Sequence, residues 1–225
     1  MAVNREGEIP GFNYRRDEPF SYVCNRCKRC CYGKRIPLNP YDLIRLGEVL
    51  QITTGDLIER HTQDGVYLNV RTDVEGEPCV FLGEEGCTVH AGRPGACRVY
   101  PLGRSCSLEG EELFALVEPH PETAGVYRTD GTMGSYLKAQ GAEPYFDASH
   151  RYLTLFKRLA TAGVFDGGES AGPDNAETHV LDVDATVERY CRERSLPGPQ
   201  NAMEKMLLHI EAIEATLESS VDASP

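Results

Sequence analysis

Apolar residues recur along this chain at two periods, and the elements follow from where each period holds. Leu38-Asn39-Pro40 reads as a helix entry, and the segment after it places Leu43, Leu46, Val49 and Leu50 on one helical face. Thr53 or Thr54 caps a second short helix carrying Leu57 and Ile58, with Gly55 and Asp56 in its first turn. The pair reads as a helical hairpin packed over the preceding cysteine loop. Residues 66–71 alternate as a half-buried strand does, and Asp73 to Pro78 form a turn into a second short strand, Cys79 to Leu82. Residues 113–117 predict another strand. Residues 145–161 predict a helix with Phe146, Leu153, Phe156, Leu159 and Ala160 toward a core. A last helix over about 199–218 carries Met203, Met206, Leu207, Ile210, Ile213 and Leu217 in one apolar stripe.

These elements give an α+β chain: a small, metal-stapled, loop-rich cysteine-cluster domain with flanking helices and a C-terminal helical segment. The expected blocks are a polar tail at 1–20, the cysteine-cluster domain at 21–110 and an α/β extension packed on it at 111–162. A Gly/acidic linker at 163–180 and C-terminal helices at 181–225 complete them. At 225 residues the chain can bury a sizeable core. No stretch approaches eighteen consecutive apolar residues, so no membrane span is expected. The N-terminus lacks the apolar core of a signal peptide, which points to the cytoplasm. There, clustered cysteines signal metal or redox chemistry more than disulfides.

The net charge of −12 is unevenly spread. Residues 1–109 hold 14 Lys+Arg against 15 Asp+Glu, whereas residues 110–225 hold 9 against 20. The acidic C-terminal half offers a surface for a protein partner, and it argues against nucleic acid. It also weighs against reading the two short helices near residue 50 as a DNA-reading pair. Local basicity gathers at Arg26, Lys28, Arg29, Lys34 and Arg35, with no acidic residue between Pro19 and Pro40. Cations beside thiols favour the thiolate, the form that binds metal.

What those cations surround is the run Cys24-x2-Cys27-x2-Cys30-Cys31. A C-x-x-C step allows a tight turn that brings two sulfurs to one metal, about 2.3 Å from each. The doublet is unusual. In extended backbone its side chains point to opposite faces, so it suits one sulfur to each of two centres, or one ligand beside a reserve thiol. Cys79, Cys87, Cys97 and Cys106 follow, each with turn chemistry just ahead of it: Pro78, Gly86, Pro94-Gly95 and Gly103. Turn N–H groups can hydrogen-bond thiolate sulfur. Cys191, at a helix-like position, reads as a small buried hydrophobe. His90 is a possible extra ligand or a turn-exposed histidine. No Gly-rich phosphate loop, Ser-His-Asp set or paired-carboxylate signal rises above background.

These cysteines, together with P-C-V-F-L at 78–82, C-T-V-H at 87–90 and R-P-G-A-C-R-V-Y-P at 93–101, resemble the CxxCxxCC family, whose members are described as zinc- or iron-chelating, or as Fe–S-cluster-containing, proteins. The resemblance spans about residues 20–106. It implies that Cys24, Cys27, Cys30, Cys31, Cys79, Cys87 and Cys97 bind metal, with Cys106 joining them. It also places Arg93, Arg98 and Tyr100 in cofactor-supporting roles. His90 stands where the family usually has an aromatic residue, which counts against it as a ligand. A branch of the family resembles flagellin lysine N-methylases, which implies a cluster-dependent protein lysine N-methylase as one alternative.

Three features favour an Fe–S cluster of the 4Fe-4S type with a redox or regulatory role: the third C-x2-C step, the doublet and the widely spaced partners. Zn2+ in a structural four-cysteine module for protein–protein interaction is the other alternative.

Overall fold

The structure, a computed structural model, describes residues 11–163 and 180–222. Among them are seven helices and four two-stranded antiparallel sheets, a mixed α+β composition. No described helix is long and apolar enough to cross a membrane. The chain divides into two compact units that cut across the sequence blocks. One comprises Met1–Ile36 with Val70–Asp147, and the other Pro37–Asn69 with Ala148–Pro225.

In the first unit, β1 (Pro19–Val23) pairs with β8 (Val126–Thr132), setting Tyr22 opposite Tyr127 and Val23 opposite Val126. β6 (Leu102–Cys106) pairs with β7 (Glu112–Leu116), and β4 (Leu82–Gly83) with β5 (Gly86–Cys87). Two short helices, α3 (Gly95–Val99) and α4 (Met133–Ala139), complete this unit with the start of α5 (Glu143–Thr161). Phe20, Leu102, Phe114, Met133, Leu137 and Phe146 close its core. Burying each such side chain stabilises by about 1.5–3 kcal/mol, so this cluster fixes where the strands can go. The described end of the polar tail is docked: Phe114 N–H donates to Tyr14 O at 2.9 Å, and Phe114 O accepts from Tyr14 N–H at 3.0 Å.

In the second unit, α1 (Pro40–Leu50) begins as its sequence predicts, with Pro40 at its first position. Asn39 Oδ1 accepts from the Tyr41 and Asp42 N–H groups, and Asp42 returns the bond to Asn39 N–H at 2.9 Å. Thr53 caps α2 (Thr54–His61) by accepting from Asp56 N–H at 3.1 Å. The hairpin's buried faces belong to one unit with α6 (Val183–Arg194) and α7 (Ala202–Asp222). Thr54 is hydrogen-bonded to Asp182 and Asp184, and Lys205 meets Asp184 at 2.7 Å. The helices expected to cover the cysteine loop therefore pack with C-terminal helices, because those supply the matching apolar stripes.

Several expected faces rotate. Ile44, not Val49, joins Leu43 and Leu46 in the core. On α5 the buried stripe is Tyr145, Ala148, Tyr152, Leu155 and Leu159, while Leu153 is exposed. On α7 Leu207 is exposed, and Met206, His209, Ala212, Ile213 and Leu217 face inward. The strand expected over 66–71 shrinks to β3 (Tyr67–Leu68), paired with β2 (Thr62–Gln63); Val70 instead bridges Cys79. The linker at 164–179 and residues 1–10 of the tail lie outside the described residues.

Candidate metal centre

The cysteine run leaves β1 at Val23 and turns on itself by two residues in the left-handed region, Arg26 (φ 53°) and Lys28 (φ 66°). Each such non-glycine conformation costs on the order of 1 kcal/mol or more, a cost that concentrates at functional turns. The reversal feeds a one-turn 3-10 helix over Arg29–Cys31, with Cys31 N–H donating to Lys28 O at 3.0 Å. Because the doublet sits in this turn and not in extended backbone, its sulfurs do not diverge: Cys30 Sγ and Cys31 Sγ lie 3.9 Å apart. Two thiolates about 2.3 Å from one tetrahedral ion are separated by about 3.8 Å. The doublet is therefore spaced to serve a single ion.

Backbone pairing then delivers the later cysteines. Cys79 N–H donates to Cys31 O at 2.8 Å, Tyr32 bridges Pro78, and Gly33 N–H donates to Gly76 O at 3.2 Å. Gly76 has φ 78°, and a Cβ there would stand 3.2 Å from the Tyr32 ring, so the approach requires glycine. The β4–β5 hairpin sets Cys87 opposite Leu82, and α3 carries Cys97.

Cys30, Cys31 and Cys79 are joined by direct contacts, and the other expected ligands belong to the same first unit. Cys24 is exposed at its margin, beside Tyr22 and Tyr136. Cys106 sits at the end of β6 opposite Glu112, with its thiol donating to Ser107 O at 3.4 Å. Cys191 is buried on α6 in the second unit, as a core residue would be. All nine cysteines are free of disulfides. Among the described residues, no three His, Cys, Asp or Glu side chains already stand where they could hold a metal ion. The donor set, soft sulfur throughout, is of the kind that fits zinc, iron or an Fe–S cluster.

The thiols are held unequally. The Cys31 S–H donates to Cys30, which lowers Cys30 to about 7 against the opposing effect of burial and pushes Cys31 well up. Burial raises Cys79 and Cys87, partly offset by the N–H groups of Phe81 and Val89. Cys27 ends lowered: burial alone would raise it, but N–H donors from Ala124 and Arg29 and the Thr123 hydroxyl outweigh that.

The three expected supporting residues divide. Arg93 is half-buried and puts its charge beside Cys30, Cys87 and Cys97, with Nη2 fixed by Gln140 Oε1 at 3.0 Å. Arg98 is a tether, donating to Gln140 O at 2.8 Å, Ala91 O at 3.0 Å and Tyr145 Oη at 3.1 Å. Tyr100 lies edge-on to Tyr22, with ring centroids 6.0 Å apart, and its carbonyl accepts from Tyr136 Oη. His90 is exposed against the Arg93 guanidinium. The basic residues of the run are largely engaged elsewhere: Lys28 donates to Glu84 O, Lys34 to Glu118 O at 3.1 Å, and Arg29 meets Glu122 at 2.5 Å.

The last two contacts expose a segment that sequence reasoning missed. Residues 118–125, E-P-H-P-E-T-A-G, lie along the cysteine turn. Asn25 Nδ2 donates to Ala124 O at 2.7 Å, and Thr123 Oγ1 is 3.9 Å from Cys27 Sγ. The segment holds no cysteine and no periodicity, so nothing in its residues signalled the role.

Residues 23–117 match the CxxCxxCC family, described as a “Putative zinc- or iron-chelating domain”. No curated protein and no solved structure matches the chain.

Proposed function

We propose that the CxxCxxCC domain of this chain carries an iron–sulfur cluster with a redox or regulatory role, held by thiolates drawn from Cys27, Cys30, Cys31, Cys79, Cys87 and Cys97. The observation that supports this reading is the Cys24-x2-Cys27-x2-Cys30-Cys31 run, whose third step zinc ribbons lack, set against Cys79 by the Cys79 N–H to Cys31 O bond at 2.8 Å. A tetrahedral zinc and an Fe–S cluster each take four cysteines, so some thiols of the group stay in reserve in either case. A cluster, when bound, supplies one-electron chemistry. The protein's part is to exclude water with the buried walls around Cys79 and Cys87, and to offset negative charge with Arg93. The doublet refines the expectation of a cubane. A cubane iron takes one protein sulfur, while the 3.9 Å spacing suits two sulfurs on one metal, as in a two-iron cluster.

That spacing also favours a second reading, a zinc–thiolate module that staples the first unit. Anaerobic purification followed by a visible spectrum and iron, sulfide and zinc analysis decides between them. A brown protein with iron and acid-labile sulfide in equal amounts supports the cluster. A colourless protein with stoichiometric zinc supports the staple, and a protein that takes up neither metal overturns both.

A further inference from the structure

We infer that the segment Glu118–Gly125 is part of the metal site, acting as a strap that positions Cys27 and retains the metal, with Thr123 as its positioning residue. This rests on the metal-binding reading above, and it concerns residues beyond the cysteine-bearing motifs.

The strap contacts the cysteine turn along its length. Lys34 holds Glu118 O, the Tyr32 ring lies 6.4 Å from the His120 ring, Arg29 pairs with Glu122, and Asn25 holds Ala124 O. At its end Gly125 admits the Tyr22 ring so closely that a Cβ there would collide with Tyr22 Oη. Thr123 Oγ1 accepts from Gly125 N–H at 3.2 Å and stands 3.9 Å from Cys27 Sγ, so its one hydrogen can be donated to that sulfur or to the neighbouring Tyr22 oxygen. Cys27 is less enclosed than Cys30 or Cys79, so its orientation depends on such hydrogen-bond partners more than on burial. Hydrogen bonds to a ligating sulfur orient it and slow its departure, and removing such a partner typically costs about 10–100-fold in metal affinity.

The experiment uses the full chain loaded with zinc or reconstituted with iron and sulfide, and follows metal transfer to a chromophoric pyridylazo chelator by stopped flow. Thr123→Val, which keeps shape and removes the donor, is expected to speed transfer about 10-fold. Thr123→Ser, which keeps the hydroxyl, is expected to stay near the wild-type rate. Glu122→Gln, which removes only the exposed ion pair, is expected to speed it by less. Circular dichroism of each apo variant checks that the fold is retained. Wild-type transfer from Thr123→Val, or equally fast transfer from Thr123→Ser, overturns the strap while leaving metal binding intact. A wild-type protein that loads no metal overturns the metal-binding reading, and the strap falls with it.

Discussion

The backbone N–H of Cys79 donates to the carbonyl of Cys31 at 2.8 Å, joining positions 48 residues apart in the chain. That bond, with the Tyr32–Pro78 bridge beside it, sets the doublet against the second group of thiols before any metal arrives. The polypeptide therefore bears part of the entropy of bringing these distant thiols together, whatever they go on to bind.

Metal retention should accordingly separate Cys97 from Cys191. Cys97→Ala removes a thiol that acts on Cys31 and should abolish stoichiometric metal, bringing the melting midpoint of the loaded protein down to that of the metal-free wild type. Cys191→Ala removes a buried sulfur 3.7 Å from Pro197 O in the second unit, and should keep the metal at a cost of about 1 kcal/mol. Metal analysis with thermal melts of both variants is the check.

The two arginines should separate as clearly. Arg93→Gln removes the positive charge beside Cys30, Cys87 and Cys97, and is expected to weaken metal affinity about 10-fold by chelator competition. Arg93→Lys should recover part of that loss. Arg98→Gln removes three hydrogen bonds and a guanidinium 4.6 Å from the Tyr145 ring centroid. It should lower the melting midpoint of the apo protein more than it changes affinity.

How much of this was readable in advance depended on the range of the interaction. The start of α1 is written in Asn39, Pro40 and Asp42, and that of α2 in Thr53, because caps act over three residues. The β7 strand shows in its own short apolar run, Leu113 to Val117. Pairing of β1 with β8 joins Tyr22 to Tyr127 across 105 residues, and no local pattern encodes it. The turn that carries the doublet was not foreseen because the left-handed Arg26 and Lys28 lie at residue types that do not advertise that conformation. The strap was invisible because its contacts use carbonyls and one threonine. His209 sat unnoticed inside an apolar stripe, since burial of a histidine depends on partners from other elements.

Those partners make His209 the source of a pH dependence in the second unit. It is fully buried, with Nδ1 2.9 Å from Tyr152 Oη and Nε2 2.8 Å from Val180 O. Burial lowers its pKa to about 4, opposed by the Val180 carbonyl and the more distant Asp184. A depressed folded-state pKa means the unfolded chain takes up the proton first. Stability is thus intact above the unfolded value, about 6.5, and falls as pH drops from there through 4, by up to about 3 kcal/mol. Urea melts at pH 7 and pH 4.5 should show this loss, and His209→Gln should be less stable at pH 7 but lack the histidine's share of the slope.

Gly47 yields a prediction whose sign runs against helix propensity. It lies buried in α1, where replacing glycine with alanine ordinarily stabilises by up to about 1 kcal/mol. Here a Cβ would stand 2.9 Å from the carbonyl oxygen of Ile52. That oxygen belongs to backbone, and the neighbouring Ile52 N–H is bonded to Gly47 O at 3.1 Å, so the chain reversal after α1 is clamped from both sides. The clash can be relieved only by moving that turn, at a cost of about 1–3 kcal/mol for an overpacked site, which outweighs the propensity gain. Gly47→Ala should therefore lower the urea midpoint of the second unit while leaving metal content unchanged. A midpoint at or above the wild-type value would mean that the α1 turn yields freely.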